Sequence, residues 1–548
     1  MRSFRPLRGV ARACAIVAAA LVTVSPVRGE VLPDFDRPDA KAKEALRLWE
    51  PERELPRIGA WLTSGRANAY LYSLHAQLLF HAGRYEEALT SAREAERLAP
   101  KDERVKGLTA FVEATLKARK GFRAYRSRLF ELHLDPERDD ILAEAALEAA
   151  ERSHGALAPF FGIPSNGGGR RVRIEVYPTA ERFQLASGLS RRDIEQTGAV
   201  GITAYNKVMM LSPRALTRGY RWADTLSHEY VHYLLERASK NNAPIWLHEG
   251  LAKFLETRWR SAEDLYLGPV FRTLLAEAVR DNEFVSFREM EPSLVRLPNS
   301  RLVQLAYAEG ASAIDFILTR YGREKLLDVF RELASSPQRT VAEALRRVLG
   351  LTLEKFEETW KAELRGRNLK PVQGVWIPSY KVKEGGAREE AEEYRAIRSA
   401  VARNHLRLGD LLWRRGRQRP AVMEYVRAVR ESPATPYLRN RLAGRLMAVG
   451  RERDALDQLG AARRLAPDYG PTYTLLGHVH LRGGRFGRAK DAYLESFLIN
   501  PFDPSIHQGL ALAYGKLGER SKAKAAEEVF RRLVRGFQQK SAPPNPPD

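Results

Sequence analysis

Residues 225–234 decide the fold at the centre of this chain, and they read Thr225-Leu226-Ser227-His228-Glu229-Tyr230-Val231-His232-Tyr233-Leu234. Apolar and aromatic side chains recur here at the spacing of one helical face, which predicts a helix from about Trp222 to Ala238. His228 and His232 are four residues apart, so they lie one turn apart on the same side of that helix. Their imidazole nitrogens can therefore bind one cation.

A second helix, predicted to begin near Leu247, carries the candidate third ligand. The run Asn-Asn-Ala-Pro at 241–244 breaks the first helical pattern, and Glu249 follows His232 by seventeen residues. Two histidines, one carboxylate and an open position for water form a common catalytic zinc site. We therefore expect Zn²⁺ as the cofactor, bound by His228, His232 and Glu249.

The residue after the first histidine, Glu229, is the candidate catalytic base. It lies off the ligand axis but close enough to take a proton from a metal-bound water. The alternative is a helix whose histidines are ordinary core or surface groups. A five-residue match of this kind arises by accident in on the order of one chain in a hundred.

These residues resemble those of the gluzincin, or peptidase MA-like, metallohydrolases, in which His-Glu-x-x-His is followed by Glu in a Trp-x-x-Glu-Gly-x-Ala context. The matching run here is Trp246-Leu247-His248-Glu249-Gly250-Leu251-Ala252. The resemblance extends over residues 122–370 and implies a zinc peptidase with an α+β, zincin-like fold. His248 departs from the pattern, since a small or polar residue is more usual there, and this leaves the third ligand open.

Two short regions upstream of the metal helix have strand patterns. Val172, Ile174 and Val176 alternate within Arg171–Tyr177, and Ala199–Leu211 reads as two strands with a turn at Asn206-Lys207. The family resemblance implies that a strand in the second region, near 200–205, lines the cleft and pairs with an extended substrate.

Two further residues have open assignments. Tyr307, expected just before a helix that ends near Gly322, resembles a family feature, and its phenol would stabilise the oxyanion of a tetrahedral intermediate. The alternative is that Tyr307 packs at the start of that helix. Glu256, seven residues after Glu249, either hydrogen-bonds a ligand histidine or is a solvated surface group.

From about residue 402 the chain repeats every 34 residues. Small residues and prolines recur in one register: Gly416, Gly450, Gly484 and Gly518; Ala421, Ala455, Ala489 and Ala523; Pro433, Pro467 and Pro501. This pattern resembles the tetratricopeptide repeat, in which paired antiparallel helices stack into a superhelix that binds proteins. One further unit fits residues 69–102, within predicted helices over 39–119.

The predicted fold class is therefore mainly α, with a central α+β metallopeptidase domain between N-terminal and C-terminal repeat segments. The expected boundaries are 1–29 (signal peptide), 39–119 (repeat-like helices), 122–370 (metallopeptidase domain), 371–390 (linker), 391–537 (repeat array) and 538–548 (disordered tail).

The first 29 residues have the composition of a secretory signal. Four arginines precede an apolar run from Ala13 to Val24, and Val27-Arg28-Gly29 suits cleavage. The apolar run is short for a membrane span, although an uncleaved anchor is the alternative. Cys14 is the only cysteine, so cleavage would leave no thiol for disulfides or metal binding. We expect a secreted or periplasmic protein.

The formal charge is +22, which becomes +17 without the five arginines of the signal. Basic residues are spread along the chain with interleaved acidic residues, and no basic tract carries stacking aromatics, so nucleic acid is not an expected partner. We expect a peptide or protein substrate and a protein partner at the repeats. Two other functions fit these residues: a catalytically silent, metal-binding scaffold for envelope assembly, and a zinc hydrolase of non-peptide substrates.

Overall fold

The computed structural model describes residues 38–65, 67–164, 170–261, 263, 265–375, 382 and 389–541. The predicted signal peptide (1–29), most of the predicted linker (371–390) and residues 542–548 of the predicted tail lie outside the described residues.

The described chain divides into two compact units. The first contains the residues up to Ser212 together with Asp224–Tyr266 and Asp281–Asn368. The second contains Pro213–Ala223, Leu267–Arg280 and the residues from Leu369 onward. The candidate metal ligands and the N-terminal helices therefore belong to the same unit.

The first unit begins with helices that include the predicted N-terminal repeat. Their bounds are α1 (Pro38–Arg47), α2 (Leu55–Thr63), α3 (Ala69–His81), α4 (Tyr85–Leu98) and α5 (Glu103–Ala118). Helices α3 and α4 form an antiparallel pair joined at Gly83, whose φ is +74°. Glycine adopts this left-handed conformation without the steric cost that a side chain adds, which explains its place in the repeat pattern.

A mixed five-stranded sheet follows. The strands and their intervening helices are β1 (Arg123–Arg126), β2 (Phe130–Leu134), α6 (Pro136–Asp139), α7 (Ala143–Phe161), β3 (Val172–Tyr177), α8 (Ala180–Ser187), α9 (Arg191–Thr197), β4 (Gly201–Ala204) and β5 (Lys207–Leu211). The strand order in the sheet is β1-β2-β3-β5-β4. Strands β2, β3 and β5 are parallel, while β1 and β4 are antiparallel edge strands.

The expected strand positions are confirmed, but the predicted turn is wrong by one residue. Tyr205 and Asn206 form the turn between β4 and β5, with φ values of +54° and +60°. Two consecutive residues with positive φ are the signature of the tight hairpin turn that matches strand twist. Lys207 lies instead in β5, where its side chain is buried beside Glu175.

Seven helices then complete the central part of the chain: α10 (Trp222–Ser239), α11 (Ile245–Leu255), α12 (Pro269–Asp281), α13 (Ser300–Tyr321), α14 (Arg323–Ala334), α15 (Val341–Leu349) and α16 (Leu353–Gly366). The predicted metal helix is α10. The second predicted helix is α11, and it begins two residues before the expected Leu247 because Pro244 precedes its first turn.

The two faces of the sheet contact different helices. On one face, Thr203 of β4 donates a hydrogen bond to Glu229 of α10 at 2.8 Å. On the other, Glu175 of β3 accepts a hydrogen bond from Tyr85 of α4 at 2.8 Å. Since side chains alternate between faces along a strand, the sheet separates the metal helix from the N-terminal repeat.

Glu175 is the centre of a buried charge network on the second face. It has no solvent exposure, and it contacts Lys207 Nζ at 2.8 Å, the Tyr177 hydroxyl at 2.6 Å and the Arg119 guanidinium. Burial disfavours the charged carboxyl, but Lys207 and Arg119 outweigh burial and hold the pKa of Glu175 well below its usual value. The network pairs charges that would otherwise be buried without a partner.

We predict that Glu175→Gln destabilises the first unit by about 3–5 kcal/mol, because Lys207 and Arg119 lose their shared counter-ion. A lowered pKa in the folded state means that Glu175 contributes its full stability above the unfolded pKa and loses it on acidification. The difference between parent and variant, measured by thermal unfolding, should therefore shrink as the pH falls from 7 towards 3. Glu181→Gln, at an exposed position of α8, is the matched control. A difference that grew towards acid pH would contradict this account.

The second unit contains the C-terminal repeats. Its helices are α17 (Glu389–Ala396), α18 (Ala400–Arg414), α19 (Gln418–Glu431), α20 (Pro436–Ala448), α21 (Glu452–Leu465), α22 (Gly470–Arg482), α23 (Phe486–Phe497), α24 (Pro504–Lys516) and α25 (Arg520–Ser541). The glycines predicted to turn the chain all have positive φ, between +70° and +79°: Gly416, Gly450, Gly484 and Gly518. The 34-residue register therefore corresponds to successive helix pairs.

Residues 213–223 belong to this second unit although they come from the centre of the sequence. Arg221 forms ion pairs with Asp468 at 2.6 Å and Glu495 at 3.0 Å, and Trp222 Nε1 donates to the Phe497 carbonyl at 3.0 Å. The sequence pattern did not indicate this arrangement, because the contacts join residues 247 to 275 positions apart.

In the described part of the chain, the helices are all too short or too polar to serve as a membrane span.

Candidate metal centre

The three predicted ligands converge in the first unit. His228 Nε2 and His232 Nε2 lie 3.1 Å apart, and Glu249 Oε2 lies 3.4 Å from the first and 3.6 Å from the second. Helix α10 provides both histidines one turn apart, and α11 provides the glutamate. Among the described residues, no other group of three His, Cys, Asp or Glu side chains converges in this way.

The separations suit a metal ion held between the three groups. Ligand atoms at about 2.0–2.1 Å from a tetrahedral zinc lie about 3.3 Å from one another. The three measured separations, 3.1, 3.4 and 3.6 Å, bracket that value. Glu249 Oε2 is buried and accepts no hydrogen bond from any described residue. A buried carboxylate oxygen without a donor is costly unless a cation fills the space beside it.

The electrostatics of the three groups agree with a cation site. Burial opposes ionisation of Glu249, but the imidazoles of His232 and His228 hold its pKa well below the usual value. Burial also opposes protonation of His228, but the nearby carboxylates of Glu249 and Glu256 raise its pKa to about 9. Without an ion, the site therefore favours an ionised Glu249 carboxylate beside a protonated His228, and a metal ion would displace that proton on binding.

Glu256 contacts a ligand histidine, which is the first of the two alternatives predicted for it from the sequence. Its Oε2 lies 3.1 Å from His228 Nδ1 and accepts a hydrogen bond from Lys253 Nζ at 2.9 Å. A carboxylate on Nδ1 keeps the proton there and leaves Nε2 free to bind a metal. Lys253 in turn holds the pKa of Glu256 below its usual value against the effect of burial.

The candidate base Glu229 faces strand β4. Its Oε2 accepts a hydrogen bond from the Thr203 hydroxyl at 2.8 Å. The same hydroxyl lies 2.8 Å from the backbone carbonyl oxygen of Glu229. A Cβ atom on Gly201 would lie only 2.6 Å from Glu229 Oε1, so the close approach of the carboxylate to β4 requires a glycine there. Burial raises the pKa of Glu229 above its usual value, which suits a group that must accept and return a proton.

The position of Glu249 depends on a close contact between α11 and α13. A Cβ on Gly250 would lie 2.4 Å from the backbone carbonyl of Gly310, and one on Gly310 would lie 2.9 Å from the Trp246 carbonyl oxygen. The two helices therefore approach with backbone against backbone. This contact gives a physical reason for the glycine that follows Glu249 in the motif.

We predict that Gly250→Ala separates α11 from α13, moves Glu249 away from the histidines and costs about 1–3 kcal/mol of stability. Thermal unfolding and metal content, measured by elemental analysis, should both fall. Gly155→Ala is the matched control, because a Cβ at that position of α7 meets nothing within 4 Å. Full metal content in Gly250→Ala would show that this contact does not position the ligand.

Tyr307 lies within α13 rather than before a helix, so that expectation is wrong. The helix begins at Ser300, because the Asn299 side chain accepts a hydrogen bond from the Leu302 N–H at 3.0 Å. The ring centroid of Tyr307 lies 5.5 Å from Lys253 Nζ, the cation that also contacts Glu256. Its proposed role at an oxyanion remains a prediction.

Sequence reasoning did not identify Glu236, which lies beside the unexplained His248. His248 Nδ1 is 3.3 Å from His232 Nδ1, and His248 Nε2 is 3.4 Å from Glu236 Oε1. Burial, together with the neighbouring His232, lowers the pKa of His248 to about 3, and burial raises the pKa of Glu236 to about 8. Glu236 follows His232 by four residues and so lies on the same face of the helix, and this spacing could have identified it from the sequence.

Comparison with known protein families supports this assignment. Residues 167–366 match the family described as the Peptidase MA superfamily. This segment is a peptidase MA domain. It contains the three candidate ligands, Glu229 and Tyr307, and it begins within the range that the motif resemblance had indicated.

The repeats also have counterparts in known proteins. "Small glutamine-rich tetratricopeptide repeat-containing protein 2" of Mycosarcoma maydis is 28% identical over 113 residues, which are 20% of this chain and 32% of that protein. The chain thus spans about a third of the length of this curated relative.

Three solved structures have low similarity to this chain. The MamA protein is 20% identical with a TM-score of 0.24, covering 29% of this chain and 91% of MamA. The Cut9–Hcn1 complex is 14% identical with a TM-score of 0.22, covering 91% of this chain and 96% of that one. Yeast Tom70 is 11% identical with a TM-score of 0.20, covering 92% and 88%. TM-scores this low carry no argument about this chain.

Proposed function

We propose that this protein is a zinc-dependent peptidase whose repeats recruit a substrate or partner protein. The convergence of His228, His232 and Glu249 at separations suited to zinc is the observation that supports it. The match of residues 167–366 to the Peptidase MA superfamily supports the reaction class. When bound, zinc would polarise the scissile carbonyl and make water acidic enough to deprotonate near neutral pH.

Glu229 would act on the attacking water. Its carboxylate is buried and held by Thr203, so it presents a fixed acceptor beside the ligand histidines. It would accept a proton from the water and later deliver that proton to the leaving amine. A pKa raised by burial favours both steps, because the carboxyl then exchanges protons closer to neutral pH.

Strand β4 would align the substrate. It is an edge strand, paired only with β5, so one row of its backbone N–H and C=O groups has no strand partner in the described sheet. An extended peptide can pair with such an edge. The side chains of β4 that face α10 include Thr203, which contacts the catalytic base. Substrate pairing would therefore place a peptide bond near Glu229.

Tyr307 remains the proposed stabiliser of the oxyanion. It lies on α13, the helix whose Gly310 packs against α11 directly beside Glu249. Lys253 connects its ring to Glu256 and, through it, to His228. A phenol hydrogen bond to the developing negative charge would lower the barrier for attack.

The C-terminal repeats would supply protein recognition. Stacked helix pairs provide an extended surface that suits a peptide or a protein. Several large apolar side chains on the first pair are exposed: Val401, Leu408, Leu411 and Met423. Attachment of such a surface to a peptidase would raise the effective concentration of a bound substrate.

We also propose export by the N-terminal signal, with cleavage after Gly29. Intact-mass analysis of the protein recovered from the periplasm or medium should then show a chain that begins at Glu30 and contains no cysteine. Recovery of a chain that still contains Cys14 in the membrane fraction would favour the uncleaved anchor instead.

We predict that Glu229→Gln retains zinc but loses about 10²–10⁴-fold in the rate of casein or peptide cleavage, because the amide cannot accept the proton. Metal content is measured by elemental analysis and cleavage by release of labelled peptides. Glu283→Gln, an exposed position in the same unit, is the control and should keep full activity. Equal cleavage by parent and Glu229→Gln would remove the proposed mechanism. Bound zinc without cleavage of any member of a broad peptide library would favour the scaffold.

A further inference from the structure

Two buried side chains behind His232 have no part in the proposed hydrolysis. His248 Nδ1 lies 3.3 Å from His232 Nδ1, and His248 Nε2 lies 3.4 Å from Glu236 Oε1. Glu236 is one turn beyond His232 on α10, and His248 immediately precedes Glu249 on α11. The three side chains form a chain of contacts from His232, a candidate ligand, to the buried carboxyl group of Glu236.

The direction of hydrogen bonding along this chain of contacts follows from metal binding. His232 Nε2 faces His228 and Glu249, so a metal-binding His232 carries its proton on Nδ1. That N–H lies beside His248 Nδ1, which must therefore accept the hydrogen bond. His248 must then carry its own proton on Nε2, which faces Glu236 Oε1. The position of the proton on His232 therefore determines the position of the proton on His248.

The two ligand histidines are supported in different ways. His228 contacts the carboxylate of Glu256 directly at 3.1 Å. His232 contacts an imidazole, and a neutral imidazole accepts at one nitrogen only when the other carries the proton. An acceptor on the far side of His248 is therefore needed, and Glu236 provides it. Glu236 Oε2 is buried and bonds no described residue, so the visible contact of this carboxyl is with His248.

We propose that His248 and Glu236 are positioning residues that hold His232 in its metal-binding tautomer and orientation. The inference rests on the proposed function, because it requires a metal at His232. It also accounts for the histidine that precedes Glu249, which is the position where the motif departs from the family pattern.

Zinc affinity of the full chain, measured by competition with a chromophoric chelator, tests the proposal. His248→Leu removes both contacts at similar size, and we expect about 10–100-fold weaker zinc binding. His248→Asn should recover much of the affinity, because its side-chain oxygen lies near the place of Nδ1. Glu236→Leu should weaken binding in the parent but add little in the His248→Leu background, since the two residues act through one contact. The absorption bands of bound Co²⁺ should shift in His248→Leu.

His478→Leu is the matched control, because it changes a histidine of the second unit and should leave zinc affinity unchanged. A parent protein that binds no zinc overturns the proposed function. A parent that binds zinc, with His248→Leu equally tight, overturns this inference alone. If His248→Leu fails to fold by circular dichroism, His248→Asn and Glu236→Leu decide, and unchanged affinity in Glu236→Leu overturns the positioning role.

Discussion

Three candidate metal-ligand atoms are held within 3.6 Å of one another in the interior of the first unit, and the surrounding structure maintains that geometry. Two imidazole lone pairs and a carboxylate oxygen repel one another in a low-dielectric interior. Only a cation or a shared proton between them relieves this repulsion. When neither a cation nor a proton is bound there, the fold must keep the three groups together against this repulsion.

Packing and hydrogen bonding share that task. The backbone contact between Gly250 and Gly310 prevents α11 from moving away, so Glu249 stays on the side of the histidines. Glu256 fixes the ring of His228, and Lys253 keeps Glu256 ionised. Thr203 holds Glu229 from the edge strand. Each of these contacts restrains a different group of the site.

The sheet separates two kinds of buried charge. Its α10 face carries Glu229 and the candidate metal ligands, which are only partly neutralised by protein partners. Its other face carries Glu175 with Lys207 and Arg119, where every charge has a close counter-ion. The N-terminal helical segment (39–119) contributes Tyr85 and Arg119 to that network, so it is part of the structural core of the first unit.

The local sequence determined what depends on spacing: the histidines four apart on one helix, the strand of Val172, Ile174 and Val176, and the 34-residue register of the repeats. It also determined the breaks at prolines and glycines, because these residues restrict or extend the backbone wherever they occur. The tertiary structure alone decided what depends on distance between elements. Examples are the hydrogen bond of Thr203 to Glu229, the approach of Gly250 to Gly310 and the chain of contacts from His232 to Glu236. A pattern of residue types fixes which face a side chain occupies, whereas the packing of whole helices fixes what that face meets.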